Sequence, residues 1–464
     1  MAILVLRAPK NAVPILLLTE KTLRAWVKKQ PKRTAQALAS HEFKAKPGSF
    51  CVLPGTDGKP ARVVAGVSEP PSLWDLGDFS LRLPAGTYRL DSDLSLAFQE
   101  WLALGWALGA HKFTRYKKAD AAKAKLALPA GADAAKITRY ASSICLARDL
   151  ITTPAEDMGP EQLAEAVVMV AKKYNAKITQ ILGDDLLKKN YPAIHRVGRA
   201  SYRAPRLVDF TWNNQEGGNA KHPKVTLVGK GVCFDTGGLD IKPSSAMYWM
   251  KKDMGGAACV LAIAQMVMDA KLPVRLRVLI PAVENAISGN AFRPTDVITM
   301  RNGLTVEVGN TDAEGRLILA DALVEASSEK PDLLIDFATL TGAARGALGM
   351  DIPALFCNDD NMAAEIATAA KDMEDPVWRM PLHKPYAKML DSPVADLNSA
   401  PNSPYAGAIT AALFLQRFVG NGLSWAHLDL GAYNLSARSG RPEGGEAMAV
   451  RAIYRLIESR FKTA

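Results

Sequence analysis

From residue 151 onward, short apolar runs alternate with stretches in which apolar residues recur at helical spacing. The apolar runs predict strands, and the helical spacing predicts amphipathic helices. This alternation is typical of an α/β domain with a mainly parallel central sheet flanked by helices. The predicted elements are strands at 224–228, 276–282 and 333–338 and helices at 255–270 and 317–326.

The first third of the chain instead has short apolar runs separated by Pro and Gly. Strands are predicted at 2–6 and 15–18, the end of a helix at 22–29, and a longer helix at 94–108. Residues 117–133 are rich in Ala and Lys and are expected to form an exposed connector. Helical spacing returns at 137–150. The predicted domains are a smaller N-terminal α/β domain over 1–135, a linking helix over 136–152 and a larger C-terminal α/β domain over 153–464.

The length of 464 residues exceeds what one ordinary hydrophobic core accommodates, which agrees with two domains. The five cysteines are odd in number and include no C-x-x-C pair, which favours free thiols in a reducing compartment. The first residues lack the pattern of a signal peptide, and the longest apolar run, at 255–267, is short for a bilayer span. We therefore expect a cytoplasmic protein without a membrane-embedded segment.

The net charge of +10 is unevenly distributed. Residues 1–150 contain 23 Lys and Arg against 12 Asp and Glu, whereas the remainder is close to neutral. A basic N-terminal domain is compatible with nucleic-acid binding or with an acidic partner. A solvated basic surface is the favoured interpretation, because no nucleic-acid motif accompanies the charge. The densest basic runs contain Lys28, Lys29, Lys32, Arg33, Lys112, Arg115, Lys117, Lys118, Lys123 and Lys125.

Three Gly-containing segments place acids within otherwise apolar sequence: 228–238, 250–256 and 310–317. Isolated charges are costly to bury, so such residues pair with each other or bind metal. Crowded carboxylates without metal would repel one another, and some would stay protonated. Oxygen ligands without a neighbouring His or Cys pair favour a divalent-metal site over a zinc finger or a Ser-His-Asp triad. The acids are Asp235, Asp253, Asp312 and Glu314.

Each acid taken singly also has a structural explanation. Asp253 could cap a helix, Asp312 and Glu314 could complement a helix dipole, and Asp235 could stabilise a turn. Together with the nearby amines of Lys230 and Lys242 and the guanidinium of Arg316, however, the acids favour a metal site. The Arg fork suits a planar anion.

These segments occur in a specific order: K-G-x-x-F-D-T-G-G from Lys230, I-K-P from Ile241, M-K-K-D-M-G-G-A-A from Met250, N-T-D-A-E-G-R-L from Asn310, and T-L-T-G-A from Thr339. The combination resembles the leucyl aminopeptidase family of cytosol aminopeptidases over about residues 140–455. The resemblance implies a hydrolase that removes Leu and other apolar N-terminal residues from peptides. It also implies a homohexamer, a dimer of trimers.

The resemblance assigns roles to individual residues. It implies that two divalent ions, Mn or Zn, activate a hydroxide that attacks the peptide carbonyl. Asp235 and Glu314 would bridge the ions, with Lys230 and Asp253 completing one site and Asp312 the other. Lys242 would stabilise the oxyanion. Bicarbonate, the implied general base, would be held by Arg316, Gly315 and Leu340. The implied substrate pocket consists of Met250, Thr339 and Gly342.

Some features lie outside these roles. His427 is expected to be structural, because it falls in a predicted strand. The segment 439–448 departs from the usual family ending, which bears on the shape of the pocket. Another two-metal hydrolase, such as a phosphoesterase, is disfavoured because neither His ligands nor an anion-binding nest is evident.

Overall fold

The structure, a computed structural model, describes residues 3–213 and 222–462. Residues 1–2, part of the predicted first strand, lie outside the described residues. The chain divides into two compact units. Unit 1 contains Met1–Cys145 and Leu435–Glu443, and unit 2 contains Leu146–Asn434 and Gly444–Ala464.

Unit 1 is built on a sheet whose described part has six strands in the order β1-β6-β5-β2-β4-β3. All neighbouring pairs are parallel except β3 with β4. The strands are β1 (Leu4–Val5), β2 (Val13–Leu18), β3 (Phe50–Pro54), β4 (Pro60–Gly66), β5 (Gly86–Asp91) and β6 (Ala124–Ala127). The helices are α1 (Glu20–Val27), α2 (Lys32–Ser40), α3 (Phe79–Arg82), α4 (Leu96–Gly109) and α5 (Ala134–Thr152), the last of which continues into unit 2.

The expectation of an exposed connector over 117–133 is wrong. Strand β6 lies in this segment and pairs with both β1 and β5. Ala124 and Leu126 are buried, whereas Lys125 between them is exposed. This is the two-residue period of a half-buried strand, which the abundance of Ala and Lys obscured.

The loop Leu435–Glu443 belongs to unit 1 although the residues on both sides of it belong to unit 2. Within unit 1, the Ser439 hydroxyl donates a 2.7 Å hydrogen bond to the carbonyl of Trp74, and the Arg441 guanidinium lies 4.1 Å from the Trp74 ring centre. The departure of this segment from the family pattern thus coincides with packing against the N-terminal unit.

Unit 2 contains a sheet whose described part has nine strands. Its central strands β18, β14, β9 and β11 are mutually parallel, and antiparallel strands lie towards the edges. A three-stranded sheet (β12, β13, β17) and a two-stranded one (β19, β20) accompany it. The strands are β7 (Lys177–Leu182), β8 (Arg206–Asn213), β9 (Lys224–Gly229), β10 (Gly231–Asp235), β11 (Arg275–Asn285), β12 (Val297–Thr299), β13 (Thr305–Glu307), β14 (Leu333–Ala338), β15 (Ala354–Cys357), β16 (Trp378–Arg379), β17 (Leu397–Asn398), β18 (Trp425–Asp429), β19 (Tyr433–Asn434) and β20 (Gly444–Gly445).

Helices cover the large sheet of unit 2. Among them, α10 is buried along almost its whole length and packs on β9, β11 and β14. The helices are α6 (Pro160–Lys173), α7 (Asp185–Lys188), α8 (Pro192–Gly198), α9 (Ser244–Met247), α10 (Gly255–Asp269), α11 (Glu314–Ser328), α12 (Gly342–Leu348), α13 (Asp360–Asp372), α14 (Gly407–Gln416) and α15 (Val450–Phe461). Two α/β units, the larger with a mostly parallel sheet, confirm the predicted fold class.

The core strands of unit 2 are apolar on both faces, as expected of parallel strands between helices. Every residue of β14 is buried, and so are nearly all residues of β9 and β11. The predicted strands and helices of this unit are therefore confirmed, with small differences at their ends. None of the helices in the described part of the chain is sufficiently long and apolar to cross a membrane.

Candidate metal centre

The carboxyl ends of neighbouring strands in unit 2 bring polar side chains together. Lys230 directly follows β9, Asp235 ends β10, Asn285 ends β11, and Thr339 directly follows β14. In α/β sheets, ligands bind beyond this edge. The order of the parallel strands thus explains how residues more than a hundred positions apart meet.

Two short 3-10 turns supply the other acids. Asp253 lies in the turn Met250–Met254, and Asp312 lies in the turn Thr311–Ala313, which is followed by Glu314 as the first residue of α11. Asn310 caps the second turn by accepting a 2.7 Å hydrogen bond from the N–H of Asp312.

The first and third motif segments are tied together by the pair Asp240 and Thr311. The N–H of Asp240 donates to the Thr311 hydroxyl at 2.9 Å, and the N–H of Thr311 donates to the Asp240 carboxylate at 2.7 Å. Reciprocal bonds of this kind fix the distance between two loops, and therefore between the acids that they carry.

Three of the predicted acids can converge on one point. Asp235, Asp312 and Glu314 each offer a carboxylate oxygen, and these three oxygens lie within 4.8 Å of one another. Asp235 is 3% exposed and Glu314 is 1% exposed, whereas Asp312 is half-buried. A compact set of buried oxygens is the ligand type that divalent cations prefer.

Lys230 joins this group from the β9 side. Its Nζ lies 2.8 Å from Oδ2 of Asp253 and 3.0 Å from Oε1 of Glu314, and it donates a 3.1 Å hydrogen bond to the Thr339 carbonyl. Burial alone would lower the pKa of Lys230, but Asp253 and Glu314 outweigh burial and raise it. Without a metal ion, the lysine is therefore an ammonium that partly neutralises the acids.

Lys242 is a second lysine that pairs with acids of the site, in this case Asp235 and Asp312. Its Nζ lies 2.8 Å from Oδ2 of Asp235 and also pairs with Asp312. Burial lowers its pKa, whereas Asp235 and Asp312 raise it by more. Two ammonium groups thus face four carboxylates, which leaves an excess of negative charge.

The excess negative charge appears in the carboxylates themselves. Burial, followed by repulsion from Asp235, raises the pKa of Glu314 to about 8 and that of Asp312 to about 6. Asp253 differs: burial opposes its ionisation, but Lys230 outweighs burial and lowers its pKa. Acids that cannot all ionise together indicate a site built around further positive charge.

The hydrogen bonding leads to the same conclusion. Within the described residues, Oδ2 of Asp253, Oδ1 of Asp312 and both carboxylate oxygens of Glu314 are buried without a hydrogen-bond partner of acceptable geometry. Three of these oxygens lie within ion-pair distance of Lys230 or Lys242, whereas Oε2 of Glu314 has no such neighbour among the described residues. Because buried carboxylate oxygens normally have partners, and two lysines are shared among four acids, the group can accept bound cations. The residues present therefore fit divalent metal ions.

Thr339 holds Asp253 in place. Its hydroxyl donates a 2.7 Å hydrogen bond to Oδ1 of Asp253, which leaves Oδ2 facing Lys230. The residue that occupies the N-cap position of α10 is Met254, not Asp253. The helix-cap interpretation of Asp253 therefore does not describe this structure.

Asp235 has both a turn contact and a site contact. Its Oδ1 accepts hydrogen bonds of 2.8 Å from the N–H of Gly237 and from Nδ2 of Asn285, while Oδ2 faces Lys242. Asn285 also donates to the Thr311 carbonyl at 3.1 Å. The sequence interpretation did not give Asn285 a role, although its position three residues after the predicted strand 276–282 was an available signal.

Arg316 lies beside the acids and is 8% exposed. Its Nη1 donates a 2.7 Å hydrogen bond to the Ser399 carbonyl, but its buried Nε has no partner among the described residues. Burial lowers the pKa of Arg316 to about 10. The free Nε suits a small anion. Of the other two residues expected to hold that anion, Gly315 lies in the first turn of α11, and Leu340 already donates its N–H to Asp429 at 2.9 Å.

The turn that carries Met250 of the predicted substrate pocket also contains a buried lysine to which sequence interpretation gave no role. Met250 and Thr339 are buried, and Gly342 is exposed at the start of α12. Lys252, two residues after Met250, is 3% exposed, and burial followed by repulsion from Arg345 lowers its pKa to about 7. The available signal was the second lysine of Lys251-Lys252, next to Asp253 in the motif.

His427 lies inside β18 and is buried. Its Nδ1 is 2.5 Å from Oδ1 of Asp336 on the neighbouring strand β14, and its ring stacks with those of Phe356 and Trp425. These buried contacts agree with a structural role.

Comparison with known proteins identifies the same site-bearing region. The family model described as "Cytosol aminopeptidase family, catalytic domain" matches residues 145–454. The model described as "M17 aminopeptidase, N-terminal domain" matches residues 13–129. Together these matches cover most of the chain.

Individual relatives agree in sequence. Peptidase B of Pectobacterium carotovorum is 45% identical over 324 residues, which cover 68% of this chain and 73% of that protein. A probable cytosol aminopeptidase of Rhodococcus opacus is 39% identical over 375 residues, which cover 77% of this chain and 73% of that protein.

Solved structures agree in fold. The cytosol aminopeptidase of Coxiella burnetii is 48% identical over 100% of both chains, with a TM-score of 0.95. The bottromycin maturation enzyme BotP, solved in complex with Mn, is 32% identical over 97% of this chain and 100% of that one, with a TM-score of 0.86. The chain therefore belongs to the cytosol aminopeptidase (M17) family and is a metallo-aminopeptidase, a hydrolase.

Proposed function

We propose that this chain uses two divalent metal ions, Mn or Zn, to hydrolyse the first peptide bond of peptides. The observation that carries the proposal is the convergence of carboxylate oxygens from Asp235, Asp312 and Glu314 within 4.8 Å of one another, together with Oε2 of Glu314, which has neither a hydrogen-bond nor an ion-pair partner among the described residues. When bound, such ions polarise a carbonyl group and lower the pKa of a water molecule. The solved relative BotP is a complex with Mn, which supports Mn as one candidate.

The ligand assignment follows the positions of the acids. Asp235, Asp312 and Glu314 supply the convergent oxygens that would hold the ions, and the bridging role proposed for Asp235 and Glu314 is the one that the family resemblance implies. Lys230 and Asp253 are proposed to complete one site, since they lie 2.8 Å apart on the Thr339 side. Asp312, which is half-buried, is proposed to complete the more accessible site.

Lys242 is the proposed electrostatic group for the reaction. Its ammonium lies beside Asp235 and Asp312 at the less buried end of the cluster, where a substrate carbonyl can approach. A fixed positive charge there stabilises the oxygen that becomes negative as the carbonyl is attacked.

Arg316 is proposed to hold bicarbonate. Its buried Nε has no partner in the described part of the chain, and a planar anion matches the shape of a guanidinium. The N–H of Gly315 belongs to the first turn of α11, where amides have no acceptor within the helix, and is the proposed second donor. When bound, bicarbonate supplies a general base. Leu340 is the third residue proposed for the bicarbonate site. Its N–H already donates to Asp429, so we propose that Leu340 lines the site without donating this hydrogen bond to the anion.

The proposed pocket for the first side chain comprises Met250, Thr339 and Gly342. Leucine and other apolar N-terminal residues are proposed substrates because Met250 supplies an apolar contact surface, and Gly342 leaves open space. A missing or additional methylene changes binding by only about 1–3 kcal/mol, so several side chains should be accepted.

We also propose a cytoplasmic homohexamer, a dimer of trimers, on the strength of family membership. Nucleic-acid binding by unit 1 is a second candidate. It is supported by the exposed basic residues of 112–118, among which Tyr116 is 54% exposed and lies beneath the Arg115 guanidinium. Salt-sensitive binding of DNA near physiological ionic strength would support this candidate, and no binding there would reject it.

The test of the peptidase proposal is hydrolysis of leucine anilide together with measurement of bound metal. Metal-depleted protein should be inactive, and added Mn or Zn should restore release. Asp312→Ala should lose activity and bind less metal, whereas Asp372→Ala, an exposed acid at the end of α13, should behave like wild type. If metal-loaded wild type hydrolyses no anilide from a panel of N-terminal residues, the proposal fails.

A further inference from the structure

Asp429 is a buried acid to which the proposed reaction gives no role. It is the last residue of β18 and is 2% exposed. Strand β18 runs parallel to β14, and their register places Asp429 beside Ala338, the last residue of β14. A buried carboxyl group is costly unless donors surround it, so its hydrogen bonds indicate its role.

The carboxylate of Asp429 holds the segment 339–341, which directly follows β14, by three hydrogen bonds. Its Oδ1 accepts from the N–H of Leu340 at 2.9 Å and from the N–H of Thr341 at 3.1 Å. Its Oδ2 accepts from the Thr341 hydroxyl at 2.6 Å. Two consecutive backbone amides thus have the same side chain as their acceptor, which fixes the path of the backbone there.

Thr341 connects Asp429 with the start of α12. The Thr341 hydroxyl oxygen caps this helix by accepting a 3.0 Å hydrogen bond from the N–H of Ala344. A hydroxyl group that donates to a carboxylate and accepts from a helix amide is held from both sides. The direction in which the chain leaves the segment 339–341 therefore also depends on Asp429.

Thr339 connects the same segment with the proposed metal centre. Its hydroxyl donates to Oδ1 of Asp253 at 2.7 Å, and its carbonyl accepts a 3.1 Å hydrogen bond from the Nζ of Lys230. Lys230 and Asp253 are the two residues proposed to complete one of the metal sites. Neither contact involves Asp312, which is proposed to complete the other site.

We propose that Asp429 is a positioning residue for the metal site that Lys230 and Asp253 complete. By holding the amides of Leu340 and Thr341, Asp429 keeps Thr339 where its hydroxyl and carbonyl orient the two ligands. The inference rests on the proposed two-metal function and concerns the support of one of the two sites. The position of the acceptor oxygen matters, since both amide hydrogen bonds end on Oδ1.

The experiment titrates metal-depleted enzyme with Mn and follows binding by calorimetry. Asp429→Ala should weaken one of the two Mn sites about tenfold or more, as removal of a group that orients metal ligands does. Asp312→Ala, which impairs the other site, identifies the affected one. The Mn binding that remains in Asp312→Ala should weaken by the same factor when Asp429→Ala is added.

Two further variants separate the position of the acceptor from its charge. Asp429→Asn removes the charge but keeps an oxygen that can accept both amide hydrogen bonds, so its Mn affinity should stay close to that of wild type. Asp429→Glu keeps the charge but moves the carboxylate by one methylene group, so it should weaken the same Mn site as Asp429→Ala.

Asp375→Ala is the matched control for a general loss of stability. Asp375 is 4% exposed and accepts hydrogen bonds from the N–H groups of Ala449, Arg451 and Ala452 at the start of α15. Loss of these bonds should lower the melting temperature and leave both Mn affinities unchanged. A weaker Mn site in the Asp429 variants then reports on the metal centre, not on stability alone.

A double-mutant cycle tests whether Asp429 acts through Thr339. If it does, Asp429→Ala should add little to the loss of Mn affinity that Thr339→Val causes alone, because both changes release the same contacts. Losses that multiply in the double variant would overturn this route.

The outcomes separate this inference from the proposed function. If wild type binds two Mn ions and hydrolyses leucine anilide while Asp429→Ala retains both Mn affinities, the positioning role is overturned and the aminopeptidase stands. If wild type neither binds a divalent ion nor hydrolyses an anilide, both proposals are overturned. If Asp429→Ala does not fold, the other two variants decide, because equal Mn affinities in Asp429→Asn and Asp429→Glu would overturn the positioning role.

Discussion

Gly315 lies directly against the side chain of Lys230: a Cβ at Gly315 would be 2.5 Å from Cε and 2.7 Å from Nζ of the lysine. Contacts this short require one group to move, so the Lys230 side chain can hold its present position against the first turn of α11 only because position 315 lacks a side chain. The glycine between Glu314 and Arg316 therefore determines where Lys230 is placed.

Gly315→Ala should displace the Lys230 amine and weaken metal binding and activity at least tenfold. The expected cause is steric, since the extra methyl group overlaps Cε. Metal content after dialysis and kcat/KM for an anilide are the measurements. Gly289→Ala is the matched control, because a Cβ there would meet no described atom within 4 Å. An alanine variant at 315 with wild-type metal content would contradict the contact.

Asn285→Ala should lower metal affinity by about 10- to 100-fold, the range observed when groups that orient metal ligands are removed. The amide orients Asp235 and also holds the Thr311 carbonyl, so both motif loops lose a support. Titration of metal-depleted enzyme with Mn measures the effect. Asn361→Ala, on the exposed side of α13, serves as control. Unchanged affinity in the Asn285 variant would show that Asp235 needs no such support.

Thr339→Val should destabilise the site by about 1–3 kcal/mol, the cost of leaving a buried acceptor without its donor. The lost bond is the 2.7 Å contact with Oδ1 of Asp253. Thr339→Ser retains the hydroxyl and should restore metal affinity and activity. If the serine and valine variants are equally impaired, the methyl group of Thr339 matters more than its hydroxyl.

Asp321 should make stability depend on pH. This fully buried carboxyl accepts hydrogen bonds from the N–H groups of Ala193 and Ile194, at 2.7 and 3.2 Å, yet burial raises its pKa to about 7. A raised folded-state pKa means that the folded protein holds the proton more tightly. The contribution is therefore complete below about pH 4 and is lost as pH rises through 7.

Asp321→Asn mimics the protonated carboxyl at every pH. The melting temperature of this variant should therefore rise by a few degrees relative to wild type between pH 5 and pH 8. Glu329→Gln, a more exposed acid that follows the same helix, is the control. A difference between variant and wild type that stays constant, or falls, with pH would refute this role of Asp321.

Prediction from sequence succeeded where information is local. Each Gly-rich turn and the strand before it consist of consecutive residues, so both can be recognised from a short stretch of sequence. With the order of these segments along the chain, Lys230, Asp235 and Glu314 could be assigned to one site before their contacts were known. The short strand β6 was missed because four residues rich in Ala and Lys give little hydrophobic signal. Its identity depends on pairing with β1 and β5.

Contacts between distant segments could not be predicted in this way. Lys252 and Arg345 each resemble an ordinary surface residue in sequence, and only the folded structure shows that the Nζ of Lys252 and the Nη1 of Arg345 are buried without hydrogen-bond partners among the described residues. Asn285 similarly shows its role only beside Asp235. The resemblance to a family supplied the proposed metal ligands, which lie in the shared motifs, but gave no information about residues particular to this chain.

The loop Leu435–Glu443 has a consequence for how this protein can be divided or recombined. The chain leaves unit 2 after Asn434, packs against Trp74 in unit 1, and returns at Gly444. An N-terminal unit exchanged with that of a relative would have to be transplanted as two separate pieces of gene, since one piece alone would leave Trp74 facing a foreign loop. A substitution in the N-terminal part of unit 1 that alters the surroundings of Trp74 thus calls for a matching substitution in Leu435–Glu443, more than 300 residues later in the sequence.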